Sequence, residues 1–285
     1  MLGSKPLISP MLFVTVGNPI LTGVSPVTGN GKNRCKPDNL KFMNILITSA
    51  GSELARNLSG ALAQEHTLRL TELYPVEDVE GTFVQSEIGH DEATNELVRG
   101  MDTIIHIAET PPNLLAEAEQ PENYAIDYQT RCTYNLLMAA VSEGVKHVIY
   151  ASTLRLFEQH GEDWTVTESW RPRPSVDSFV LSKHLGEFTC REFGREGKIN
   201  VTCLRLGNLI TADTAETADY APDVKSMWLE MNDAVAAFRC ALESSSSWQI
   251  FHIQSEFPGS RFLIGKAKGH LKFDPQFVPT QAEEA

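Results

Sequence analysis

Five small residues, Thr48-Ser49-Ala50-Gly51-Ser52, lie between an apolar run (Ile45, Leu46, Ile47) and a stretch where Leu54, Leu58, Ala61 and Leu62 recur at the spacing of one helix face. A strand, a tight turn and a helix in that order leave free N–H groups and the positive dipole end of the helix over the turn, where they can hold an anion such as a pyrophosphate. Glu72 stands 21 positions beyond Gly51, the interval at which a carboxylate accepts a hydrogen bond from the ribose of a bound dinucleotide. The same carboxylate repels a 2′-phosphate, and the following LYPVEDVEG holds no Lys or Arg, so NAD is favoured over NADP. Ser49, Gly51, Ser52, Leu54 and Glu72 are therefore the first candidate cofactor residues.

The turn departs from the usual chemistry in two ways. Ser49, Ser52 and Ala55 stand where three glycines would let backbone approach a pyrophosphate. A serine hydroxyl can bond a phosphate oxygen itself, and alanine is accepted at the third position. Glu53, in the first helical turn, competes for the electropositive end that a phosphate would use. Taken alone, the turn is equally compatible with an ordinary capped helix in an α/β protein.

The elements that must position these residues follow from apolar periodicity. Buried strands are expected at about 68–71, 102–108, 147–153, 201–210 and 248–254, and helices at 92–100, 122–143 and 176–193. Asn232-Asp233 can cap a helix carrying Val235, Phe238 and Leu242, and a short helix is expected near the tail. The alternation predicts a doubly wound parallel sheet with helices on both faces, a Rossmann α/β fold. Residues 43–210 form the expected dinucleotide-binding core and 211–285 a small substrate-side region. Residues 1–42 hold five Pro, five Gly and a net charge of +4 without periodicity; they are expected to be a disordered leader, or upstream sequence from a mis-assigned start.

Composition narrows the function. The chain has 285 residues and a net charge of −13, with no basic run, which argues against nucleic-acid binding. No apolar stretch is long enough to span a membrane. Five widely spaced cysteines without a C-x-x-C pair read as reduced thiols of a cytoplasmic protein, and no metal site is indicated. His106, inside an apolar strand, reads as a satisfied core histidine.

The blocks MNILIT, GMDTIIHIA, YNLLMAAVSEGVKHVIYAST, SKHLGE, LRLGNLI and NDAVAAFRCALES resemble the extended short-chain dehydrogenase/reductase family, the NAD-dependent epimerases and dehydratases, over nearly all of 43–277. The tail RFLIGKAKGHLKFDPQ looks most like the uronate dehydrogenase group. The resemblance implies a tyrosine that exchanges a proton with a substrate hydroxyl, a lysine four residues later that lowers its pKa, and a strand-end Ser or Thr. Lys183 matches the lysine and Thr153, beside Ser152, matches the hydroxyl. Phe179 stands at the tyrosine position and has no ionisable oxygen.

The resemblance also implies that Glu87-Ile88 meets the adenine, that Ile107-Ala108 lines the cofactor cleft, and that Gln129 replaces a common Asn. It implies a homodimer through the helices at 122–143 and 176–193. Two readings follow: an NAD-binding member with weakened or lost acid–base catalysis, or an active oxidoreductase or epimerase on a sugar, sugar acid or nucleotide sugar, with water or His184 in place of the phenol. Arg155, Arg171 and Arg173 are candidates for an anionic substrate group, set against ordinary solvated charge.

Overall fold

A computed structural model describes residues 41–111, 121–211, 227–256 and 260–277. The leader expected at 1–42, apart from its last two residues, and nearly all of the loop expected at 211–225 lie outside the described residues. Strand β1 (Asn44–Thr48) leads through the turn into helix α1 (Glu53–Leu62), and then follow β2 (Thr67–Glu72), β3 (Thr82–Gln85), α2 (Glu92–Val98) and β4 (Thr103–His106). Next come α3 (Pro121–Ser142), β5 (His147–Thr153), α4 (Ser178–Arg195), β6 (Asn200–Leu206), β7 (Asn208–Ile210), β8 (Trp228–Glu230), α5 (Met231–Leu242) and β9 (Trp248–Ile253). A short π-helical turn covers Ala267–Leu271.

Seven strands pair in the order β3-β2-β1-β4-β5-β6-β9, all parallel. Each strand's side chains alternate between two cores, as the period of two requires. Ile45 and Ile47 join Leu54, Leu58 and Leu62 of α1 and Phe238 of α5 on one face. Leu46 joins Leu97 of α2 and Leu136 of α3 on the other. Winding reverses between β1 and β4, so the carboxyl ends of these strands open the crevice where such sheets bind ligands.

Several elements differ from the sequence expectation. Strand β3 was not anticipated: TFVQ is four residues on the sheet edge, with no fully buried side chain. The run expected as one strand at 201–210 breaks at Gly207, where a Cβ would collide with the Met227 carbonyl. Beyond that break β7 leaves the main sheet and pairs with β8. Strand β4 stops at His106 because the Ile107 amide donates to Thr48 Oγ1 at 3.1 Å and Ala108 turns left-handed (φ 54°). Helix α5 is capped by Glu230, whose carboxylate accepts from the Asn232 and Asp233 amides, in place of the expected Asn232-Asp233. The chain beyond 210 returns to the sheet as β9 and packs α5 against α1. Cys132, Cys190 and Cys203 are buried free thiols, whereas Cys240 is disulfide-bonded, against the expectation of five reduced thiols.

Candidate active site

The turn after β1 is built largely from its own hydrogen bonds. Ser49 is held left-handed (φ 56°), and its buried hydroxyl exchanges hydrogen bonds with the Glu109 backbone, accepting from N at 3.0 Å and donating to O at 3.2 Å. Ser52 caps α1 by accepting from the Ala55 amide at 3.2 Å. Both serine oxygens that could have served a phosphate thus have work within the fold. The Glu53 and Leu54 amides, at the open end of α1, have no acceptor among the described residues. The leucine side chain itself is buried in the core.

Glu72 closes over this turn. Its carboxylate accepts from the Gly51 amide at 3.3 Å and the Leu73 amide at 2.9 Å. Burial raises its pKa above the ordinary value, the two amides oppose the rise, and the nearby Glu109 charge adds to it. Ile88 (φ 48°) and Ala108 (φ 54°) are, like Ser49, non-glycine residues in the left-handed region. Three such residues at the strand ends around the crevice are held against steric preference, a pattern that concentrates at functional sites. Glu87 is exposed, while the Ile88 carbonyl accepts from Asn135 Nδ2 at 3.0 Å.

Lys183 reaches the same crevice from α4. Its Nζ is buried and donates to the carbonyls of Ile107 (2.5 Å) and Ala151 (2.8 Å). Burial pushes its pKa down to about 8, against the opposing charge of Glu109. The Phe179 ring centroid lies 5.7 Å from Nζ and 5.5 Å from the Arg155 guanidinium carbon, so two cations lie near the ring at the position where a phenol is expected. Thr153 ends β5, and its hydroxyl accepts from the Arg155 amide at 3.2 Å, leaving its own proton to donate. Ser152 points to the opposite side, donating to Glu187 at 2.7 Å.

Thr153, Phe179, Lys183, Arg155 and Glu109 line one cavity of about 270 Å³, closed by Leu206–Leu209. Among the described residues its lining includes no tyrosine or histidine. His184, the stand-in considered for the phenol, opens on a different cavity, and Tyr150 is buried with its hydroxyl on the Lys183 carbonyl. Arg171 lies with His184 and Arg173 is exposed, so only Arg155 of the three arginines faces this cleft. Gln129 bridges Thr110 and Ser182 behind it. His106 is a core group as expected, hydrogen-bonded to Thr48 and Thr133 at 2.9 Å each, with burial holding its pKa down to about 3.

Glu109 is the cleft residue that the sequence reading missed. The available signal was its position directly after Ile107-Ala108, at the carboxyl end of a strand beside the winding reversal. Among the described residues no group of three metal-type ligands forms, and no helix is long and apolar enough to cross a membrane.

The model of the NAD-dependent epimerase/dehydratase family matches residues 49–237, more than half of the chain. Solved structures with similar folds include glucuronic acid dehydrogenase from Chromohalobacter salexigens (19% identity, TM-score 0.69, covering 84% of this chain and 86% of that one). A uronate dehydrogenase from Agrobacterium tumefaciens, a tyrosine-to-alanine variant complexed with NAD, shares 20% identity (TM-score 0.65, 83% and 86%). UDP-N-acetylglucosamine 4-epimerase from Bacillus cereus shares 16% (TM-score 0.65, 83% and 94%). A search of curated proteins found no match.

Proposed function

The chain belongs to the NAD-dependent epimerase/dehydratase family, and from that premise we propose that it binds NAD in the crevice above β1 and β4 while its acid–base step is weakened or lost. The observation that carries this reading is Phe179 across from Lys183, in a cleft whose ionisable groups among the described residues are Glu109, Arg155 and Lys183. Glu72 offers the ribose an acceptor, the Glu53 and Leu54 amides offer a pyrophosphate two donors, and Ile88, Ile107 and Ala108 border the crevice. The Glu72 carboxylate favours NAD over NADP. When bound, the cofactor supplies a hydride acceptor or donor. The protein's part is positional: Thr153 directs its free proton at a substrate oxygen, and Lys183 holds a hydroxyl beside it. NAD is bound in the similar uronate dehydrogenase variant, which supports an NAD-type cofactor for this fold.

The substrate or effector we propose is a sugar, sugar acid or nucleotide sugar, the class named for the similar structures, with residues after 210 on its side of the cleft. A cytoplasmic setting is supported by the three free thiols, and the bonded Cys240 weighs against it.

The test is calorimetric titration with NAD and NADP, followed by NADH formation with uronic acids and UDP-sugars. NAD binding without turnover is expected in the native chain, and Phe179→Tyr is expected to raise turnover by about 10² to 10⁴. No affinity for NAD would refute the cofactor half. Brisk native turnover would favour the second reading, an active oxidoreductase or epimerase. That reading rests on Glu109 and a lysine whose pKa of about 8 lets it exchange a proton near neutrality; Glu109→Gln would then abolish the activity.

A further inference from the structure

A second cavity, about 640 Å³, lies on the far side of α4 and shares no lining residue with the cleft. Helices α2, α3 and α4 cover one face of the sheet but leave its β6–β9 end to the loop 168–174. A parallel sheet face is ordinarily apolar. Here paired positions on β5, β6 and β9 place Ser152, Arg205 and His252 side by side on that face.

This polar row is only partly satisfied. Arg205 forks onto Glu187, Nε to Oε2 at 3.0 Å and Nη2 to Oε1 at 2.6 Å, with Ser152 completing the carboxylate. Its Nη1 is buried and has no hydrogen-bond partner among the described residues, while the guanidinium carbon lies 4.9 Å from the Phe157 ring centroid. His184 Nδ1, in the cavity lining, is orphaned in the same way, whereas His252 is no lining residue and packs its ring against Phe157 and Phe262. A buried guanidinium N–H left unpaired is costly, and a bound acceptor removes that cost.

The walls define what would fit. Trp170, Trp248 and Phe188 supply flat apolar surface, while Arg171 and Arg191 add positive charge at the rim. Glu187 is neutralised by Arg205, and Glu168 accepts from the His252 amide at 3.1 Å. Arg191 is paired with Glu192 at 2.9 Å, which leaves the exposed Arg171 and the unfilled donor of Arg205 as the cationic contacts beside the aromatic rings. The volume lies within the roughly 300–1,000 Å³ of small-molecule sites.

We propose that this cavity is a binding site for a small organic anion, a planar ring bearing a carboxylate or phosphate, with the ring against the tryptophans and the anionic group on Arg205 and Arg171. The full chain is titrated with benzoate, phenyl phosphate and inorganic phosphate by calorimetry and tryptophan fluorescence, with and without saturating NAD. Saturable binding of benzoate or phenyl phosphate with Kd between about 1 μM and 1 mM is expected, at least tenfold tighter than inorganic phosphate, and NAD leaves it unchanged. The stronger of the two ring anions identifies the anionic group. Arg171→Ala, an exposed change that leaves the fold intact, is expected to weaken binding at least tenfold. Absence of saturable binding by both ring compounds, displacement by NAD, or indifference to Arg171→Ala would overturn the proposal. Failure of NAD itself to bind bears on the cleft alone.

Discussion

At the residue scale, Lys183 ties chemistry to stability. Its ordinary pKa of 10.5 falls to about 8 in the folded chain, because burial disfavours the ammonium. Between these values the unfolded chain binds more protons than the folded one, so stability rises with pH from about 8 to 10.5 and the burden is fully present below 8. At 1.36 kcal/mol per pH unit the difference is about 3 kcal/mol. Urea denaturation at pH 7.5 and pH 10 is expected to show this gain in the native chain and to lack it in Lys183→Met. Glu72 makes a separate prediction about the cofactor. Glu72→Ala removes a charged acceptor worth about 1.5–3 kcal/mol, so NAD affinity should fall at least tenfold and the preference over NADP should narrow, read by calorimetry.

At the element scale, helix α4 can deliver Lys183 only because it lies close against β5. Gly186 makes the approach possible: a Cβ there would overlap the Tyr150 hydroxyl. Gly186→Ala is expected to cost about 1–3 kcal/mol, seen as a melting temperature several degrees lower. Local pattern reveals this much of the design in advance. The β1–turn–α1 unit and Glu72 are legible because each depends on spacing within one or two elements, whereas Thr153 and the Phe179–Lys183 pair are picked out by the family resemblance. Strand β3 is not legible, since a four-residue edge strand buries too little to need an apolar alternation. The break at Gly207 is hidden because VTCLRLGNLI stays apolar across it, and only the approach of Met227 reveals the bend. Glu109 and the Ser152–Arg205–His252 row are invisible for a different reason: their meaning comes from strands that are neighbours in space and distant in sequence.

At the scale of the whole molecule, two helices carry apolar side chains that stay exposed among the described residues. Tyr134 and Met138 of α3 and Leu185 of α4 are exposed on packed neighbouring helices, and an apolar patch of this kind marks an association surface. The native chain is expected to sediment as a dimer and the Met138→Glu, Leu185→Glu double variant as a monomer.

The grip of Lys183 on the Ile107 and Ala151 carbonyls also has a mechanical side. Those oxygens belong to adjoining stretches of backbone, one just past β4 and one inside β5, where the ladder between the strands runs out. A side chain from a third element therefore fastens a seam that the main chain leaves open. Cutting that stitch should let the crevice mouth breathe, so that amide protons around Ala108 and Ser152 exchange with deuterium sooner in Lys183→Met than in the native chain.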